Sequence, residues 1–126
     1  LPTTWHQAFT HHGSDGHYIT FPPLEYVDSL ITGVRVSVYP TVTDEVRKDF
    51  MHTQVRVEQP AVARVVCHGP LLDLIDHPRP LWVELAQHEP IQVKLQYLPM
   101  GSNRGEQQLV VFLDGWKGDG PRLVPR

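Results

Sequence analysis

Residues 11–17, HHGSDGH, place three histidines and an aspartate within seven positions, with His6 five residues upstream. Imidazole and carboxylate groups are ligands for zinc and related ions, and such a site needs three or four of them converging at about 2.0–2.2 Å. His6, His11, His12, Asp15 and His17 meet that need in type. Their spacing does not match a metal motif: there is no HExxH on a helix and no ligand pair from a ββα unit. His11 and His12 are adjacent, so an extended chain sends them to opposite faces. Gly13, Ser14, Asp15 and Gly16 have the composition of a turn. The segment therefore reads first as a polar turn entering a strand. His6, His11, His12 and His17 stand as weak metal candidates, and no cofactor is expected.

Other reactive types are equally isolated. Cys67 and His68 are neighbours, but strand neighbours point to opposite faces, so they do not make a nucleophile and base pair. Cys67 ends an apolar run and reads as a small core residue. Ser14 lacks the Gly-x-Ser-x-Gly elbow. Asp44, Glu45 and Asp49, and Asp73 and Asp76, fall in short helix-like segments, where acids near the start favour the dipole. DGWKGDG, residues 114–120, holds Asp114 and Asp119 in a glycine-rich frame without the spacing of a calcium loop. No phosphate-binding glycine motif is present. The sequence thus points away from an enzyme.

Size and charge narrow the classes further. The chain has 126 residues, 40% of them hydrophobic and 20% charged, which suits one globular core. A formal net charge of −3 gives no basic surplus for a phosphate backbone, so nucleic acid is not expected as a partner. No apolar run approaches the roughly 20 residues of a membrane-spanning helix, so membrane insertion is not expected. One cysteine permits no internal disulfide. The closing LVPR, residues 123–126, is read as the remnant of a thrombin-cleavable tag, leaving 1–122 as a single β-sandwich domain excised from something larger.

The elements that must carry these residues are strands. IQVKLQYL (91–98) alternates Ile91, Val93, Leu95 and Tyr97 with polar residues, GVRVSVYP does so with Val34, Val36 and Val38, and TQVRVEQP with Val55 and Val57. VARVVC (62–67), LWVEL (81–85) and LVVFL (109–113) are apolar on both faces, as suits a central or covered strand. HYITF (17–21) adds a short one. Prolines and glycines at 40, 60, 69–70, 78, 90, 101 and 115 punctuate them. Three segments read as short helical crossovers: 23–33 with Gly33 as C-cap, 43–50 with Thr43 as N-cap, and 70–78 with Pro70 opening it. MGSNRGEQQ (100–108) reads as a hairpin tip.

The expected fold is an all-β, two-sheet antiparallel sandwich of about seven to eight strands, immunoglobulin-like or jelly-roll. The expected function is a non-enzymatic recognition or assembly module of a larger surface protein, such as a capsid or virion projection domain or an extracellular adhesion module. The alternative is a small histidine-dependent metal-binding protein or hydrolase. A protein partner or self-association, including a homodimer, is the expected contact, placed on the virion surface or outside the cell. Loops 11–16, 40–50, 68–80 and 100–107 are its candidate surfaces. Trp5, His12, Asp15, Asn103, Arg104 and Trp116 are the candidate contact residues, the tryptophans because aromatics anchor interfaces. Protonating all eight histidines would move the formal charge from −3 to +5, which makes pH-dependent association an expectation.

Overall fold

The computed structural model describes residues 2–10, 18–21, 28–39, 41–97 and 108–118. Eight strands run in order: β1 (Pro2–Thr10), β2 (Tyr18–Phe21), β3 (Ser29–Tyr39), β4 (Gln54–Gln59), β5 (Arg64–Pro70), β6 (Arg79–Leu85), β7 (Ile91–Gln96) and β8 (Gln108–Lys117). Among the described residues two short α-helices, α1 (Asp44–Asp49) and α2 (Leu71–Asp76), and one 3-10 turn (Pro60–Val62) join them. A first sheet has the order β1-β8-β3-β6 and a second the order β2-β7-β4-β5, antiparallel throughout. The all-β sandwich read from the alternation is therefore present.

The strand order separates the two architectures that the sequence left open. β1 pairs with β8, β2 with β7, β3 with β6 and β4 with β5. That is one long antiparallel hairpin of paired strands, wrapped so that successive pairs alternate between sheets. It is the jelly-roll order. Only β4 and β5 are sequence neighbours within one sheet; the other six connections cross between sheets. An immunoglobulin-like sandwich would instead keep several consecutive strands side by side.

The core forms where the alternation says it must. Val34, Val36 and Val38 of β3, Val55 and Val57 of β4, Ile91, Val93 and Leu95 of β7, and Leu109, Val111 and Leu113 of β8 are all buried in one cluster. Thr43 caps α1 by accepting a 3.2 Å hydrogen bond from the Val46 N–H, and Val46 and Phe50 are buried as their spacing required. In α2, Pro70 takes the N-cap position itself, one residue earlier than the first-turn place expected for it. Leu71 and Leu74 join the core.

Several expectations are corrected. VARVVC and LWVEL belong to edge strands: β5 borders the second sheet and β6 the first, with Val65 and Trp82 each 43% exposed. Their apolar outward positions gave the signature of covered strands without a cover. Tyr97 does not continue the alternation of β7; it takes a left-handed φ of 61° just beyond the strand and is 68% exposed. Ser29–Gly33 is strand rather than helix, and Gly33 lies at a β-bulge instead of a C-cap. β7 and β8, the strands flanking residues 100–107, lie in different sheets and so are not the two arms of one hairpin. Gly115 does not punctuate the strands: β8 runs through it to Lys117. β1, whose polar PTTWHQAFT carries little apolar alternation, was not anticipated. The expectations for residues 11–17, 23–27, 100–107 and the 123–126 tail fall outside the described residues.

Gly115 shows why a glycine can sit inside a strand. A Cβ there would come within 2.0 Å of the Leu30 carbonyl oxygen, a backbone atom that cannot move aside. At Gly33 the nearest atom would be 3.6 Å away, an ordinary contact. Gly115→Ala is expected to lower unfolding free energy by about 1–3 kcal/mol. Gly33→Ala should be neutral, or stabilising by under about 1 kcal/mol. Urea denaturation of the two variants would check the contrast.

Candidate functional site

The jelly-roll order sorts the connections by end. Those following β1, β3, β5 and β7 all leave from one end of the sandwich, where Thr10, Gln108 and Tyr39 share a row in the first sheet and Gln96, Gln54 and Pro70 a row in the second. These four connections contain the four loops singled out in the sequence. β2, β4 and β6 finish at the opposite end. Because each strand runs opposite to the one before it, successive connections must alternate between the two ends, whether they cross between the sheets or, as from β4 to β5, stay within one.

The described part of this end is built on α1 and α2. Val46, Phe50, Leu71 and Leu74 insert into the gap between the sheets, so the helices close the open end of the core while their polar residues face water. Thr53 is buried between them: its hydroxyl donates to the Tyr97 carbonyl at 3.0 Å, and its own carbonyl accepts from the Leu71 N–H at 2.9 Å. Arg47 of α1 forms an ion pair with Asp76 of α2. The result is a fixed platform with exposed Glu45, Lys48, His52, Asp73 and His77. His68, on the outward side of β5, lies two residues from the same end.

A second cluster lies on the solvent face of the first sheet. Asp114 of β8 stands opposite Thr4 of β1 and Gly33 of β3. Its Oδ1 accepts from the Thr4 hydroxyl at 2.8 Å and its Oδ2 from Arg35 Nε at 3.0 Å. The Arg35 guanidinium also lies over the Phe112 ring at 4.3 Å, a cation–π contact, and the His6 ring sits 5.9 Å from Phe112. Burial pushes the Asp114 carboxyl upward, but the hydrogen bonds from Arg35 and Thr4 and the guanidinium charge outweigh it and hold its pKa below the ordinary value. The outer face of the second sheet is polar and cationic, with Lys94 and Arg56 sharing Glu58 Oε2 at 3.3 and 3.2 Å.

Of the residues picked from the sequence, His6 is on β1, exposed and against Phe112, four positions before the strand's end. Trp5 is half-buried and packs on the core. Trp116 is half-buried on β8. His11, His12, Asp15, His17, Asn103 and Arg104 lie outside the described residues. Among the described residues no three His, Cys, Asp or Glu side chains are grouped so as to hold a metal ion. Asp114, read as a loop acid, is a strand residue in an ion pair. Arg35, Thr4 and Phe112 were not singled out; the outward alternation of β3 and β8 was the only signal, and it does not tell which outward residues meet. Cys67 is buried while His68 is exposed, which separates them as expected. Burial pushes the Cys67 thiol up, against the opposing charge of Arg79.

Comparison with known proteins adds no relative: no family model matches the sequence, and no curated protein or solved structure matches it.

Two outcomes follow from the site chemistry. Because the folded pKa of Asp114 lies below its unfolded value, its pairing stabilises fully at neutral pH and loses that contribution as pH falls through the carboxylate range. Asp114→Asn should therefore cost up to about 1 kcal/mol at neutral pH, the scale of a half-exposed pair, with the deficit shrinking well below pH about 4. Denaturation curves at the two pH values measure this. The raised pKa and burial of Cys67 predict slow reaction with a disulfide reagent at neutral pH, becoming fast only in denaturant.

Proposed function

We propose that the chain is a non-enzymatic recognition and assembly module, a domain of a larger surface structure, which binds a protein partner or further copies of itself through the end bearing α1 and α2. The observation that carries this reading is the convergence of four connections on one end of a rigid sandwich, with both helices locked to the core beneath it. Loops held on a rigid scaffold are where binding concentrates. Exposed charges of both signs, Glu45 and Asp73 against Lys48, give such a surface the means to discriminate between partners.

The interior supports the same reading. Among the described residues it is filled by aliphatic side chains with Phe50 and Cys67, and its few buried polar residues, Ser29, Thr53 and Gln59, have protein partners. Jelly rolls recur in viral capsid subunits and lectins and also in cupins, so the fold alone selects no function. The capsid or adhesion setting rests on that analogy, and the contact surface rests on the geometry of the helix-bearing end.

Light scattering after size exclusion across a wide concentration range tests the self-association arm. The expected result is a concentration-dependent dimer or larger species that Lys48→Glu combined with Asp73→Lys disperses without lowering the melting temperature. The measurement is made at neutral and at mildly acid pH, which also tests the pH-dependent association expected from the eight histidines of the sequence. A monomer at every concentration and both pH values would overturn self-association.

A further inference from the structure

The solvent face of the first sheet carries a cleft at the end opposite α1 and α2. It has a volume of about 340 Å³ and is lined by Pro2, Thr4, Thr32, Asp114 and Trp116 among others. The cleft has a local cause. Gly33 pairs with Asp114, is itself buried and does not line the cleft, whereas Thr32 at the bulge beside it does. The pairing of β3 with β8 shifts register between Ile31 and Gly33, and Thr32, the residue at that bulge, donates its hydroxyl to the Asp114 carbonyl at 3.3 Å. Bulges re-aim side chains in this way beside binding sites. Arg35, three residues beyond Thr32, reaches back to hold the carboxylate.

The donor and acceptor inventory is that of a site for a neutral polyol. Each carboxylate oxygen offers two acceptor positions. Among the described residues, Asp114 Oδ1 accepts from Thr4 and from Arg35 Nη2 at 3.5 Å, whereas Oδ2 accepts from Arg35 Nε alone, which leaves one of its positions for a ligand hydroxyl. The Thr4 and Thr32 hydroxyls donate to Asp114 and retain acceptor capacity. Trp116 and Pro2 supply an apolar wall. The Arg35 guanidinium compensates the Asp114 charge, so neither a cation nor an anion would meet an uncompensated partner. A pyranose ring has what this arrangement asks for: an apolar C–H face for the indole and a rim of hydroxyls that both donate and accept. The depression is open to solvent and so has room for one face of a single ring rather than for an enclosed ligand.

We propose that this cleft between β1, β8 and the β3 bulge binds one pyranose ring of a neutral glycan, with Trp116 packing on the ring and Asp114 and the threonine hydroxyls holding its hydroxyl rim. The site is separate from the helix-bearing end and stands whether or not that end mediates assembly. Saturation-transfer NMR with glucose, galactose, mannose and N-acetylglucosamine tests it, using N-acetylneuraminic acid as the anionic comparison. The expected result is millimolar binding of at least one neutral sugar, with a shift of the Trp116 indole N–H resonance. Trp116→Ala should weaken it about tenfold, and Thr32→Val, a near-isosteric change that keeps the fold, by about threefold or more. Tyr97→Ala, exposed at the other end, should leave it unchanged. Absence of transfer from all four neutral sugars would overturn the proposal. So would binding that survives both cleft variants, or binding of the anionic sugar alone.

Discussion

The apolar contact between the two sheets is the constraint from which the rest of this structure follows. β3 and β8 in one sheet and β4 and β7 in the other present rows of valine, leucine and isoleucine to each other. Each fully buried side chain of this kind contributes roughly 1.5–3 kcal/mol relative to exposure. Such a gain is obtained only in one register, because a slip of one residue would turn every apolar row outward. Four central strands are thus fixed by packing. The others are placed by the pairs they complete: β1 on β8, β2 on β7, β5 on β4 and β6 on β3.

A sandwich of this type is open at its ends, and the two ends are treated differently. At one, α1 and α2 are too short to be stable alone and derive their order from the residues they insert into the core. Thr53 ties both of their surroundings to the sheets through hydrogen bonds that survive because they are buried. The polar sides of the helices are consequently presented in fixed positions. At the other end, β8 continues past the core and approaches β3 so closely at Gly115 that only a hydrogen atom fits between them. That approach, with the bulge beside it, shapes the surface holding Asp114 and Trp116.

The strand content and the core were legible because a period of two converts directly into an inward and an outward face. The cap of α1 was legible too, since Thr43 and the Val46/Phe50 spacing act within a single turn. The edge positions of β5 and β6 were not. Val65 and Trp82 look like core residues in the sequence, and only their lack of an outer neighbour exposes them. The candidate surfaces were legible in part. The loops were visible as punctuation, but nothing local says that four of them share an end. The Asp114, Arg35 and Thr4 cluster was invisible, because its members are 79 and 110 positions apart in the chain.

The sequence by itself determined the fold class, the faces of the strands β3, β4 and β7, the inward place of Cys67 and the start of α1. All of these depend on residues within a few positions of one another. The tertiary structure alone decided the jelly-roll strand order, which residues lie at edges, and which polar side chains meet across β1, β8 and β3. Those outcomes depend on pairings between distant segments, whose energy comes from burial shared by both partners and is written in neither segment alone.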